Sequence, residues 1–243
     1  MTNLLKKIKD QKWFYEFELP DGSKTESYLP EIARKIHTTR EGALRRYLAD
    51  MRGAHLNALD ISCHEGYFSI ILSEYFTNVT ALDKNVESLE KARLISDLLG
   101  KNTISFNHSS VERWDEKNKS DFVLCYGLLY HIENPIEVLR KLAVLTNKTL
   151  CIETQVLPNS IEGFIEDGSY MWQRELQGAF GICIDYSQRP EGGMTDLALV
   201  PSRTALEFLL KQFGFKKVNF YQPISDDYEQ FVRNHRVILF AEK

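Results

Sequence analysis

Two aspartates lie at the ends of neighbouring apolar runs, about twenty residues apart, a spacing typical of an acid that binds a ribose. Asp60 lies in "LDISCHEGYFSI", and Asp83 ends "VTALD". A carboxylate accepts two hydrogen bonds from a cis-diol, which explains the residue type. The alternative is a solvated turn aspartate or a helix cap. Asp83 is therefore the strongest nucleotide-binding candidate in the chain.

A second group of candidates follows the fourth and fifth apolar runs, in "YGLLYHIENP" and "CIETQV". His131 is the candidate general base because the ordinary pKa of histidine lies near neutrality, and Tyr130 is placed to orient an acceptor. Alternatively, His131 packs against a sheet and bonds a backbone carbonyl. Glu153 either binds an amine or hydroxyl of an acceptor or pairs with a surface cation. These residues and His64 lack the ligand spacing of a metal site, so no metal is predicted.

Apolar strands that alternate with amphipathic helices position these candidates. Strands are predicted at residues 56–61, 78–83, 102–107, 120–127, 148–154, 215–223 and 235–243. Helices are predicted to begin at Asn85, Asn134 and Ser202, each of which is a good cap, and Pro135 suits a first helical position. No helix is expected between the last two strands, so they must pair antiparallel. The predicted fold class is α/β, with a doubly wound, mostly parallel seven-stranded sheet and an antiparallel final strand.

Two segments lie outside this predicted core. They are an N-terminal extension, residues 1–55, and an insertion within the main domain, which covers residues 56–243. Residues 157–200 are a long insertion without a clear pattern, which favours a lid or binding loop. Its aromatic cluster around Tyr170, Met171 and Trp172 suits a flat or apolar acceptor.

The composition narrows the function classes. The 243-residue chain carries a net charge of -4, and it lacks the global basic excess of a duplex-binding protein. Its four cysteines form no CxxC pair, which favours free thiols in a reducing cytosol. The N-terminal stretch "MTNLLKKIKDQKW" is too short and too charged for a signal peptide, and no apolar run approaches membrane-spanning length. We therefore expect a cytoplasmic protein with no membrane partner and no nucleic-acid partner.

Four segments together resemble the class I S-adenosylmethionine-dependent methyltransferases: "LDISCHEGYFSI", "VTALDKNVESLEKARLISDLLG", "DFVLCYGLLYHIENPIEVLRKLA" and "CIETQV". Within these, the chain is similar to the branch that includes the tRNA wobble-uridine carboxymethyltransferase-like proteins and related small-molecule methyltransferases. The leader "KWFYEFELPDGSKTESY" resembles the leader of that branch. The resemblance implies a Rossmann-like fold, with S-adenosyl-L-methionine as cofactor and S-adenosyl-L-homocysteine as product.

The resemblance also implies roles in the first loop. Asp60 would orient the methionine amine, directly or through water. A loop around the methionine and ribose would be formed by Ser62, Cys63, His64 and Gly66. The sequence departs from the family because Ser62 and His64 stand where the loop commonly has glycine. A positive φ at either position would cost more than it does for glycine.

Further roles follow from the resemblance at the later strands. Asp83 would hold the ribose hydroxyls. Ser110 and Val111 would border the adenine. Cys125 and Tyr126 would flank the reactive sulfonium. Aromatic residues of the leader would cover the cofactor, namely Trp13, Phe14, Tyr15 and Tyr28.

Three functions remain open from the sequence. The first is a methyltransferase that modifies an O, N or C atom of a small-molecule acceptor. The second is a tRNA-modifying methyltransferase or carboxymethyltransferase, which would need a cationic groove and, for carboxymethyl transfer, a cation beside the sulfonium. The third is a non-catalytic protein that keeps the fold for binding, which the glycine-poor loop favours.

Overall fold

The computed structural model of the protein describes residues 2–51, 56–167, 172–187 and 195–243. The leader contains α1 (Thr2–Lys9), β1 (Lys12–Trp13), β2 (Glu26–Ser27) and α2 (Glu31–Leu48). The next segment contains β3 (Asn57–Ile61), α3 (Tyr67–Leu72), β4 (Asn78–Asp83), α4 (Val86–Leu98), β5 (Ile104–His108), β6 (Ser120–Tyr126), α5 (Pro135–Leu145) and β7 (Thr146–Gln155). The remainder contains β8 (Glu162–Asp167), β9 (Trp172–Gln177), β10 (Phe180–Ile184), β11 (Leu197–Pro201), α6 (Arg203–Gln212), β12 (Lys217–Phe220), α7 (Glu229–Val232) and β13 (Arg236–Glu242).

The central sheet has seven strands in the order β12-β13-β7-β6-β3-β4-β5. Strands β3 to β7 pair in parallel, and β13 runs antiparallel to both β7 and β12. This topology confirms the predicted fold class. The prediction of no helix between the last two strands was wrong, because the one-turn helix α7 lies there. A four-residue helix is too short to show a helical period, although its Phe231 is fully buried.

The predicted helix caps are present. The Asn85 side chain accepts a hydrogen bond from the Ser88 N–H at the start of α4. At the start of α5, Asn134 Oδ1 accepts from the Glu137 N–H, and Asn134 Nδ2 donates to the Glu137 carboxylate. Each of these caps satisfies a backbone N–H that has no partner within the helix.

Strand β6 shows how the sheet separates two apolar layers. Phe122, Leu124 and Tyr126 face the layer that holds α2 and α3, whereas Val123 and Cys125 face α5 and α6. Successive side chains of a strand point to opposite faces, and a strand buried on both faces therefore reads as a continuous apolar run.

The leader packs into the core of the sheet domain. Trp13, Leu44 and Leu48 are fully buried in the same cluster as Phe122 and Phe240. An antiparallel bridge between residues 18 and 24 flanks a turn within "LPDGSK". The predicted boundary after residue 55 falls at residues 52–55, outside the described residues.

The insertion contains two antiparallel strand pairs, β8–β9 and β10–β11, and is therefore not unpatterned. All side chains of β10 are at least partly exposed, so this strand shows little of the alternation that marks a half-buried strand, whereas β11 buries Ala198 and Val200. Tyr170 and Met171 of the predicted acceptor-binding cluster lie outside the described residues, as does the side chain of Trp172.

Within the described residues, no helix combines the length and apolarity that crossing a bilayer requires. All four cysteines are described and free, and Cys63, Cys125 and Cys151 are buried.

One buried hydroxyl joins the insertion to the core. Ser202 Oγ accepts hydrogen bonds from the Ala205 N–H, at 3.2 Å, and from the Ala179 N–H, at 3.0 Å. The second bond connects the turn before β10 to the start of α6. A Cβ on Gly178 would lie 2.4 Å from the Ala205 nitrogen, so the turn can approach the helix this closely only with glycine.

We predict that Ser202→Ala lowers the free energy of unfolding by about 2–3 kcal/mol, because it removes the shared acceptor of two backbone donors, one buried and one partly buried. Asn85→Ala is the matched control, since it removes an exposed cap with a single bond and should cost about 1 kcal/mol. Urea unfolding of the two variants measures the difference. Equal losses of unfolding free energy in the two variants would contradict the role of Ser202 in connecting the insertion to α6.

Candidate active site

A cavity of about 550 Å³ opens where β3, β4 and β6 end, at the edge of the sheet where ligands bind in open α/β folds. Eight of the predicted site residues line it: Ser62, His64, Asp83, Ser110, Val111, Tyr126, Tyr130 and His131. Phe14, Tyr15 and Tyr28 of the leader line it as well, whereas Trp13 lies in the core instead. The structure thus brings together residues from the leader and from the ends of four strands, β3 to β6.

The loop after β3 adopts left-handed backbone geometry at three alternate residues. The φ angles are +59° at Ser62, +51° at His64 and +78° at Gly66. The two non-glycine residues therefore occupy the conformation for which the family loop commonly carries glycine. A left-handed residue other than glycine costs roughly 1–2 kcal/mol, so the surrounding contacts must hold this loop in place.

Asp83 supplies part of that support. Its Oδ2 accepts a hydrogen bond from the His64 N–H at 2.7 Å, and its Oδ1 accepts from the Asn85 N–H at 2.8 Å. The carboxylate thereby fixes the strained loop and the entry to α4 while it lines the cavity. Each carboxylate oxygen has further acceptor capacity, which leaves Asp83 able to bind a diol.

Five predicted site residues lie behind the cavity wall instead: Asp60, Cys63, Gly66, Cys125 and Glu153. Asp60 accepts a hydrogen bond from Ser69 Oγ at 2.6 Å, and burial, with a smaller effect from the charge of Asp83, raises the pKa of Asp60 to about 7. A Cβ on Gly66 would meet the Phe106 ring at 3.0 Å. Glycine is thus needed at this position for packing as well as for its positive φ.

A buried glutamate of the same loop, which the sequence did not single out, holds the leader over the cavity. Glu65 Oε2 accepts hydrogen bonds from the Phe14 N–H at 2.8 Å and the Tyr15 N–H at 3.2 Å. Its other oxygen accepts from Lys91 Nζ at 3.3 Å. Because both aromatic side chains line the cavity, this carboxylate couples the aromatic cover to the loop.

The structure places Glu153 among buried arginines, behind the wall of the cavity. It is fully buried, and its oxygens accept from Arg40 Nη2 at 2.5 Å and from Arg236 Nη1 at 2.6 Å. Burial alone would raise the pKa of Glu153, but the two guanidiniums outweigh it and hold that pKa below its usual range. With both oxygens bound to buried cations, Glu153 is positioned as a structural anchor.

The arginines extend this cluster to the cavity. Arg40 lines the cavity, and the Arg236 guanidinium lies 4.6 Å from the centre of the Tyr130 ring. A Cβ on Gly127 would lie 3.3 Å from Arg40 Nη2 and 3.4 Å from the Tyr130 hydroxyl. The cluster of two arginines and one glutamate therefore leaves one formal positive charge beneath this end of the cavity.

His131 contacts a carboxylate from the insertion. Its Nδ1 lies 2.8 Å from Asp185 Oδ1, and the pair is mostly shielded from solvent. Burial lowers the pKa of His131, and the hydrogen bond to Asp185 offsets this only in part. The imidazole is therefore neutral at neutral pH, as a general base requires.

Arg40, Arg236, Glu65 and Asp185 were all missed by sequence reasoning, for a shared reason. Each lies far along the chain from its partner, by 113 residues for Arg40 and Glu153 and by 54 for His131 and Asp185. A charged residue next to an apolar run indicates a buried ion pair, because charged side chains are rarely buried without a partner. Among these four residues, Arg236 at the start of "RVILF" shows this signal.

A family model described as "Methyltransferase domain" matches residues 32–219, more than half of the chain. The chain belongs to the methyltransferase domain family. This confirms the predicted resemblance to class I S-adenosylmethionine-dependent methyltransferases.

The chain is also similar to individual proteins. It is 27% identical over 160 residues to a tRNA U34 carboxymethyltransferase of Campylobacter jejuni, an alignment that covers 65% of this chain and about half (48%) of the relative. Its fold is similar to the crystal structure of the N-terminal domain of EvdMO1 with SAH bound, with a TM-score of 0.75, 18% identity and coverage of 99% and 96% of the two chains. Magnesium protoporphyrin IX methyltransferase from Synechocystis PCC 6803 with bound SAM gives a TM-score of 0.56 at 15% identity, with coverage of 90% and 86%.

The positive φ at Ser62 predicts that variants of this residue differ in stability in the opposite order from variants of an ordinary helical residue. Ser62→Gly should be more stable than Ser62→Ala by about 1 kcal/mol, because alanine cannot adopt left-handed geometry without strain. Ser73, which has a φ of -64°, is the control, and there the alanine variant should be the more stable one. Denaturant unfolding of the four variants measures both differences. The same order at both positions would contradict the strain at Ser62.

Glu153→Gln should destabilise the protein by about 3–5 kcal/mol, because it leaves two buried guanidiniums without their counter-ion. Glu74→Gln is the matched control. Glu74 also lies near two cations, Arg45 and Lys101, but these contacts are partly exposed and should contribute no more than about 1 kcal/mol. Thermal and chemical unfolding measure both losses. A stable but inactive Glu153→Gln variant would restore the acceptor-binding role.

Proposed function

We propose that this methyltransferase transfers a methyl group from S-adenosyl-L-methionine to an O, N or C atom of a small-molecule acceptor. The observation that carries the proposal is the set of residues that line the cavity described above. Asp83, Ser110 and Val111 line one part of it, and Tyr130 and His131 line another. A diol-binding acid and a candidate base thus share one cavity, as a cofactor and its acceptor require.

The residues of the cavity fit the cofactor. Asp83 keeps acceptor capacity for the ribose hydroxyls, and Ser110 and Val111 would border the adenine. Asp60, buried behind the loop with a raised pKa, would gain a counter-ion from the methionine amine, directly or through water. Gly127 has a φ of +73°, and a Cβ there would crowd Arg40 and Tyr130, so glycine keeps this end open.

The protein supplies alignment, exclusion of water and proton transfer. When bound, S-adenosyl-L-methionine supplies an electrophilic methyl group. Phe14, Tyr15 and Tyr28 of the leader would cover the cavity, and Tyr130 would orient the acceptor. His131, neutral at neutral pH, would take a proton from an acceptor that has one to lose.

A small acceptor is supported by the size and charge of the molecule. A cavity of about 550 Å³ lies within the range of small-molecule and cofactor sites. The net charge is -4, and a duplex-binding surface usually has a basic excess. Many surface cations near the leader are also paired with carboxylates, such as Lys24 and Arg34 with Glu16.

A second candidate function is carboxymethyl transfer to tRNA. The cation that this reaction would need beside the sulfonium is available in Arg40, which lines the cavity close to Gly127. The similarity to the tRNA U34 carboxymethyltransferase supports this candidate, although the aligned region covers about half (48%) of that relative.

Asp83→Asn should weaken binding of S-adenosyl-L-methionine about 10- to 100-fold, because a neutral amide forms weaker hydrogen bonds to the ribose diol than a carboxylate does. Asp97→Asn on the exposed face of α4 removes the same charge away from the cavity and should leave binding unchanged. Isothermal titration of the folded variants measures both. If the wild type gives no heat and no thermal stabilisation, the proposal fails and a non-catalytic role is favoured.

The same titration separates the two candidate functions. A methyltransferase that acts on small molecules should bind S-adenosyl-L-methionine more tightly than its analogue with a carboxylated methyl group. Tighter binding of the carboxylated donor, together with tRNA binding that weakens steeply with salt, would favour carboxymethyl transfer instead.

A further inference from the structure

The β10–β11 hairpin of the insertion brings a carboxylate to the candidate base. Asp185 directly follows β10, and its Oδ1 lies 2.8 Å from His131 Nδ1. The side chains of His131 and Asp185 are only 22% and 9% exposed. The contact therefore lies in a place where water competes weakly for the hydrogen bond.

Other bonds hold the hairpin in this position independently of the His131–Asp185 contact. The Leu199 N–H of β11 donates to the Ile132 carbonyl, at 3.0 Å, directly beside His131. The Asp185 N–H donates to the Asp196 carbonyl, and the Asp196 carboxylate accepts from the Ser187 N–H and hydroxyl. The backbone at Asp185 and at nearby Ser187 is thus held by hydrogen bonds to Asp196.

We propose that Asp185 is a positioning residue, which holds His131 in the Nδ1–H tautomer so that Nε2 accepts a proton from an acceptor hydroxyl during methyl transfer. This inference rests on the proposed function. A carboxylate that accepts from one ring nitrogen leaves the other as a proton acceptor and stabilises the imidazolium that forms. His131 lines the cavity, so the remaining nitrogen, Nε2, is the one available there.

The step balances in atoms and charge. The acceptor oxygen forms a bond to the methyl carbon while the carbon–sulfur bond breaks, and the bonding electron pair stays on sulfur. The hydroxyl proton passes to Nε2 of His131. A hydroxyl needs this help more than a neutral amine, because an amine already has a nucleophilic lone pair at neutral pH whereas a hydroxyl gains nucleophilicity as its proton leaves. The dyad therefore points to an oxygen acceptor.

The charges that act on His131 come from three elements. Asp185 of the insertion and Glu153 of β7 favour the imidazolium, and Arg236 of β13 disfavours it. Since Asp185 makes the direct bond, its removal should change the His131 pKa more than the removal of any other carboxylate in the hairpin.

Nitrogen-15 NMR of the histidine rings in the full chain tests the positioning role. We expect His131, assigned by comparison with His131→Gln, to be the Nδ1–H tautomer in the wild type. Asp185→Asn should lower its pKa by about one pH unit or more. The matched control, Glu175→Gln, removes an exposed carboxylate from the other hairpin of the insertion and should leave His131 unchanged. A wild-type Nε2–H tautomer, or an unchanged pKa in Asp185→Asn, would overturn the proposal.

A second measurement separates a base at the reaction centre from a purely structural contact. S-adenosyl-L-methionine carries a sulfonium charge that S-adenosyl-L-homocysteine lacks. The pKa of His131 should therefore be lower in the first complex than in the second, because the positive charge disfavours the imidazolium. Equal pKa values would overturn the role in proton transfer. Failure of the wild type to bind either compound would remove the proposed function itself, an outcome distinct from both.

Discussion

The structure depends on the buried ion pairs of Glu153. This carboxylate lies on β7, in the middle of the sheet, and it binds Arg40 of leader helix α2 and Arg236 of terminal strand β13. All three groups are almost fully buried, so removal of any one would leave charge without compensation in a medium of low polarity. The contact therefore requires the leader, the parallel strands and the antiparallel strand to be in place together. It also fixes Arg40, which lines the cavity, and Arg236, which lies 4.6 Å from the centre of the Tyr130 ring.

In the loop after β3, one carboxylate both restrains the backbone and lines the cavity. Ser62 and His64 adopt left-handed geometry without being glycine, and the same aspartate that should bind the ribose accepts the His64 N–H. Asp83 therefore links loop conformation to ligand binding, since a ligand bound to it would act on a group that already restrains the loop. Glu65 extends the link to the leader, because its carboxylate holds the backbone of Phe14 and Tyr15. Strand end, loop and aromatic cover thus form one connected unit.

The acceptor end of the cavity is assembled from more distant parts. Tyr130 and His131 follow β6, Arg40 comes from the leader, and Asp185 comes from the insertion. Because one fold serves many reactions and function resides in the site, we expect specificity for the acceptor to depend on these added segments.

The sequence by itself determined the order of strands and helices, the helix caps, the antiparallel ending and the position of Asp83 at the cavity, because these follow from periodicity and local bonding. It did not reveal the helix α7, the hairpins of the insertion or the partners of Glu153 and His131. A carboxylate at the end of an apolar strand looks the same in sequence whether it binds an acceptor or neutralises two buried arginines. Only the tertiary structure decided between these roles, because each depends on residues that are distant along the chain and become neighbours when the strands and the leader pack.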